Sequence, residues 1–141
     1  MAGETSRDLV AGSRDDLLHR AEDRMPEVVT IAAAAVDPAN GLNNGGLTLR
    51  KGLVLCKVTT TGKYMPFLST ATDGRQLPAT AVVLAYDTRM NGTDDMLSAA
   101  YYDAKLKPLG PKFTTVANAT AFNWNTAGVS GRLVIVDTRV V

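Results

Sequence analysis

The chain has 141 residues, a length that suits one domain with a single substantial core. Fifteen basic residues stand against 14 acidic ones, and the resulting net charge of +1 excludes a general electrostatic pull toward nucleic acid or anionic lipid. One Cys and one His exclude a disulfide framework and any zinc site built from several such ligands.

The N-terminal end is a charged tail. Residues 1–27 carry four basic and seven acidic side chains, whereas the remaining 114 residues carry eleven and seven. Met1 to Asp8 has no apolar run behind a basic start, so no secretory signal is expected, and the protein is expected to be made soluble inside the cell. Ser13 to Met25 reads as a short helix. Ser13 can cap it, Asp15 and Asp16 suit the positive end of its dipole, and Asp16 and Arg20 form an i,i+4 pair before Pro26 stops it. Leu17, Leu18, Ala21 and Met25 give it only a narrow apolar stripe, so it needs something to dock on.

Val28 to Val36 (VVTIAAAAV) is too short to span a bilayer, and no membrane partner is expected. Its β-branched start, Val28, Val29, Thr30 and Ile31, favours an extended conformation. Asp37 to Gly46 (DPANGLNNGG) reads as a flexible connector, with Gly45-Gly46 as a hinge. Residues 1–46 therefore form an expected arm, and residues 47–141 an expected β-rich domain.

From Leu47 onward, short apolar or β-branched runs alternate with turn signals. The runs are Leu53 to Thr60, Ala79 to Asp87, Leu97 to Asp103, Phe113 to Ala119 and Arg132 to Val141. Thr61-Gly62, Asp73-Gly74, Asn91-Gly92, Leu109-Gly110-Pro111 and Gly128 to Gly131 separate them. The pattern predicts a mainly β domain of about five to seven strands, a small barrel or sandwich. Ala79 to Tyr86 and Leu133 to Val136 are apolar on both faces, which predicts central strands or subunit contacts.

Candidate chemistry is sparse. His19 lies in the charged tail, which offers no enclosed ring for general acid–base work, and this weighs against Ser-His-Asp and Cys-His arrangements alike. Cys56 sits among Val54, Leu55 and Val58 and reads as a small buried hydrophobe. Asp94-Asp95 lacks the alternating oxygen ligands of a calcium loop, so no metal or other cofactor is expected. Lys105, Lys107 and Lys112 beside Tyr101, Tyr102 and Phe113 read as a solvated edge rather than a nucleic-acid site. The chain is expected not to be an enzyme.

The stretch Gly52 to Asp87 (GLVLCKVTTTGKYMPFLSTATDGRQLPATAVVLAYD) resembles the head decoration protein D family of tailed bacteriophages. The pattern is an apolar strand opening on Gly52, then Gly62-Lys63-Tyr64, then a turn at Asp73-Gly74, then a strand ending Val83-Leu84-Ala85-Tyr86-Asp87. Leu97 to Leu106 (LSAAYYDAKL) is similar to the family's next strand, with Asp103-Ala104-Lys105 where a glycine is usual. Two features depart from the family: the long segment before Leu47, and an Asn- and Thr-rich stretch from Asn118 to Gly131.

The resemblance implies a small β-tulip-type body and a homotrimer that cements the outer face of an expanded capsid. The major capsid protein is then the partner, and the virion the location. It also implies a segment ahead of the domain that orders on the capsid. Leu17, Leu18, Val28, Val29, Thr30 and Ile31 are the expected capsid-binding arm residues, Val28 to Ile31 by adding a strand to a partner's edge. Ordering such an arm costs about 1–2 kcal/mol per residue, which trimer avidity would offset. The alternative is a β-sandwich glycan-binding or adhesion module stacking sugars on Tyr101, Tyr102 and Trp124, with Asn123 and Asn125 beside them.

Overall fold

In the computed structural model, residues 17–18, 26–39, 46–102, 104–107, 110–128 and 133–135 are described. Strand β1 (Glu27–Ile31) forms where four consecutive β-branched residues favour extended backbone. After it come β2 (Thr48–Leu49), β3 (Val54–Lys57), β4 (Tyr64–Pro66), β5 (Val82–Leu84), β6 (Thr88–Arg89), β7 (Met96–Tyr101), β8 (Ala104–Leu106) and β9 (Leu133–Ile135). The body is mainly β. Eight strands follow Leu47 among the described residues, against five to seven expected, because β2 and β6 are ribbons only two residues long.

Five strands close a barrel in the order β1-β4-β3-β5-β7. β1 runs antiparallel to β7 over its whole length, from Glu27 opposite Ala100 to Ile31 opposite Met96. Its other edge touches β4 in parallel at one point, Ile31 beside Tyr64, where the N–H of Ala32 donates to Tyr64 O at 3.0 Å. Two short ribbons, β2-β6 and parallel β8-β9, flank the barrel.

The central strands β3 and β5 serve two cores at once. Leu53, Leu55, Val82 and Leu84 point inward and meet Val29, Ile31, Leu49, Tyr64, Met90 and Ala100. Val54, Cys56, Val83 and Ala85 point outward, where Phe67, Leu106, Phe122 and Leu133 cover them. The two-residue period of a strand produces this division. It explains why Ala79 to Tyr86 reads as apolar on both faces, although the strand within it is only Val82–Leu84, after a 3-10 turn at Pro78–Thr80. Within the run Leu133 to Val136, Leu133 is buried but Val134 is 44% exposed, and β9 pairs only with β8 among the described residues; Val136 lies outside them.

Phe113 to Ala119, expected as a strand run, turns into helix α1 (Val116–Ala121). The hydroxyl of Thr115 accepts from the N–H of Asn118 at 3.1 Å and so caps the helix. The Asn- and Thr-rich stretch thus has a use. Asn123 Oδ1 accepts from the N–H of Asn125 and starts a second 3-10 turn at Trp124–Thr126. Buried Asn118 accepts from the N–H of Ser69 and donates to Thr114, tying the helix to the loop after β4.

Candidate functional site

The residues expected to bind a partner fall on two faces of the body. Leu17 and Leu18 are each 1% exposed and lie in the outer core with Leu106, Phe122 and Leu133. Leu18 bridges Leu106 in antiparallel fashion, and Leu17 O accepts from the N–H of Lys107 at 2.8 Å. This corrects their assignment to a capsid-binding arm: they dock on their own chain. Burying each leucine is favourable by about 1.5–3 kcal/mol, and that gain is realised without a partner. Neither Leu17 nor Leu18 is helical; the rest of the expected helix 13–25 lies outside the described residues.

Val28, Val29, Thr30 and Ile31 need a second correction. They form a stave of the barrel, hydrogen-bonded along β7, and are not a strand held in reserve for another protein. Val29 and Ile31 fill the barrel interior, at 4% and 0% exposure. Leu17, Leu18 and Glu27–Ile31, all expected in the arm of residues 1–46, consequently belong to the β body. Val28 and Thr30 remain on the outer face, opposite Ala99 and Leu97. Val28 and Leu97 are both 70% exposed, an apolar pair on a wall that the described residues leave open to solvent.

The connector between β1 and β2 is also less free than its composition suggests. Asp37 donates its N–H to Gly46 O at 2.8 Å, which brings the two ends of the segment together. Gly46 is buried with φ +82°, and a side chain there would press on the Asp37 carbonyl. It is a pinned turn and not a hinge. Residues 40–45 lie outside the described residues.

Several titratable side chains are occupied in structural bonds. Burial pushes the Cys56 thiol up to about 12, against a smaller downward effect of its hydrogen bond with Thr80. Asp95 accepts from Lys63 and from the N–H of Ala33, and these bonds, Lys63 first, lower its carboxyl below the usual range. Asp94 accepts from Asn91 Nδ2 at 2.9 Å. Lys112 donates to Gly110 O, and Lys105 is exposed. Among the described residues, no group of three or more His, Cys, Asp or Glu is placed to hold a metal ion. None of the helices among them is long and apolar enough to cross a membrane. His19 lies outside the described residues.

The aromatic residues considered for sugar stacking are engaged in packing. Tyr101 is buried, and Trp124 packs on Phe122 with ring centroids 4.6 Å apart and on Phe113 at 6.2 Å. Phe67 completes this cluster, 4.9 Å from Phe122. Tyr102 is half-buried beside Tyr64.

Sequence reasoning missed Leu97 as a surface residue and Asp37 as a buried one. Leu97 alternates with Met96 and Ser98, so the period of β7 could have placed it outward once a register was known. Asp37 carries no such signal, because its environment is made by Arg50 from outside the connector. In comparisons with known proteins, the chain matches no protein-family model, no curated protein and no solved structure.

Proposed function

We propose that this chain is a structural virion protein: a capsid decoration protein that binds as homotrimers on the outer face of an expanded phage head and cements neighbouring capsomers. The observation that carries the reading is the family-like stretch Gly52 to Asp87. It spans β3, β4 and β5, three consecutive staves of the barrel, and its glycines at 52, 62 and 74 all sit at positive φ. The β-tulip type of the body is part of the same proposal. The protein works without catalysis or cofactor, is made in the host cytoplasm, and has the major capsid protein and its own copies as partners.

Two further features support this role. The outward pair Val28 and Leu97 gives a self-associating barrel apolar surface to cover. The segment ahead of Glu27 reaches the body through buried Leu17 and Leu18, so whatever precedes them starts from a fixed anchor. Three such segments on one trimer would add their weak contacts by avidity.

The test is sedimentation of the purified protein, alone and mixed with expanded, undecorated heads. A mass of three chains and co-pelleting with heads are expected. A monomer that stays in the supernatant overturns the proposal. Removal of residues 1–16 separates arm from body without touching the core; weakened pelleting with the trimer intact is expected, and unchanged pelleting removes the arm from the proposal.

A further inference from the structure

The turn between β6 and β7 holds a chemical arrangement that the proposed role leaves unused. Asn91 and Gly92 are exposed, and Gly92 has φ +83°. Asn91 Oδ1 accepts three hydrogen bonds: from the N–H of Asp94 at 2.8 Å, the N–H of Thr93 at 2.9 Å and the Thr93 hydroxyl at 3.2 Å. Asn91 Nδ2 donates to Asp94 Oδ2 at 2.9 Å. The bond from Thr93 closes a ring of atoms that includes the peptide nitrogen of Gly92 and the Asn91 side-chain carbonyl. The N–H of Gly92 makes no hydrogen bond among the described residues.

We propose that Asn91 is a self-modifying site, at which the folded turn accelerates loss of the side-chain amide. The peptide nitrogen of Gly92 attacks Asn91 Cγ and forms the new C–N bond of a five-membered imide. The bond from Cγ to Nδ2 breaks, and ammonia leaves carrying the proton that Gly92 gives up. Water then opens the ring at either carbonyl, leaving an aspartate or an isoaspartate at position 91. Charge gathers on Oδ1 as the nitrogen adds, and the three donors already aimed at that atom stabilise it there. The nucleophile belongs to a residue without a side chain to crowd the approach, and the ring closed by the Thr93 bond limits the motion of both reacting atoms.

The product changes the turn. A carboxylate at position 91 replaces the donor that now faces Asp94, so attraction becomes like-charge repulsion. An isoaspartate also adds a methylene to the backbone just before β7. Asp95, in the same turn, bonds Lys63 and the N–H of Ala33, so the change lies close to the end of the barrel where β1 meets β4.

The test follows conversion of the full chain at neutral pH, folded in one arm and in concentrated urea in the other. Proteolysis and mass spectrometry read the amide-to-acid change at each Asn-Gly pair, and an isoaspartyl methyltransferase assay reads the branched product. Asn40-Gly41 and Asn44-Gly45 serve as comparators within the same molecule. Asn91 is expected to convert several-fold faster folded than in urea, where the three pairs converge on similar rates. Equal or slower conversion in the folded protein overturns the proposal. Thr93→Val, which removes one of the three donors, is expected to slow the folded rate and leave the urea rate unchanged; an unaltered folded rate removes the stabilising role assigned to these donors.

Discussion

Arg50 grips Asp37 through two parallel bonds, Nε to Oδ2 at 2.7 Å and Nη2 to Oδ1 at 3.1 Å, and its backbone N–H adds a third at 3.2 Å. The same guanidinium donates to Phe113 O at 2.9 Å, so one side chain joins the start of the connector, the end of β2 and the aromatic layer. Asp37 is wholly buried, whereas the Arg50 side chain keeps 26% of its surface.

That asymmetry orders the expected effects of substitution. Arg50→Met strands a buried carboxylate and is expected to cost about 3 kcal/mol of stability. Asp37→Asn leaves a guanidinium that still reaches water, and keeps an acceptor of the same shape, so it is expected to cost clearly less. Urea denaturation of both variants measures the order; an equal or reversed ranking contradicts the burial argument.

Gly52 and Gly62 share a positive φ but not a neighbourhood. A Cβ at Gly52, with φ +91°, would overlap the carbonyl oxygen of Gly110, whereas nothing lies within 4 Å of one at Gly62, with φ +71°. Gly62→Ala is therefore expected to cost about 1–2 kcal/mol, the conformational penalty alone. Gly52→Ala must also displace the backbone that pairs Lys112 with Gly52 and Val54, and is expected to be the more damaging by a clear margin. Thermal unfolding of the two proteins provides the comparison.

Alkaline stability follows from Cys56 and Tyr64. The thiol rises from 9.0 to about 12, chiefly through burial. The Tyr64 phenol rises from 10.0 to about 12, through burial first and then through Tyr102 and Cys56. Both groups resist ionisation in the fold more than in the unfolded chain. Their stabilisation is whole below pH 9 and is lost as pH rises from 9 toward 12. Unfolding free energy should fall across that window, and the fall should be shallower in Cys56→Ala. At neutral pH a thiol reagent is expected to label Cys56 only after unfolding.

The exposed pair on the β1-β7 wall gives a surface test of self-association. Leu97→Lys is expected to leave stability within about 0.5 kcal/mol of the parent, since Leu97 is 70% exposed, and to shift sedimentation of the proposed trimer from three chains toward one. A trimer that persists with lysine at this position places the subunit contacts elsewhere.

What could be read in advance follows the range of the forces involved. Local signals worked: Gly62, Gly74 and Gly92, marked as turns, all adopt the positive φ that those turns require. Ala79 to Tyr86, apolar on both faces and so expected as a central strand or a subunit contact, contains the fully buried central strand Val82–Leu84. Long-range pairing could not be read. Val28 to Ile31 carries strand propensity, but its partner β7 is more than 60 residues away, and only that register makes it a stave and not an arm. Leu17 and Leu18 likewise looked like a stripe awaiting a foreign surface, because Leu106 and Leu133, which receive them, lie far along the chain. At Thr115 a hydroxyl caps a helix where the apolar pattern suggested a strand.

The double duty of β3 and β5 sets how this protein comes apart. Val83 cannot leave the outer layer without pulling Val82 and Leu84 out of the barrel, because the three are consecutive residues of one stave. Loss of either half therefore exposes the other, and the described body should melt in a single cooperative transition with no stable half-folded form. In the proposed role of a capsid cement, that property means the body either holds at full strength or lets go entirely.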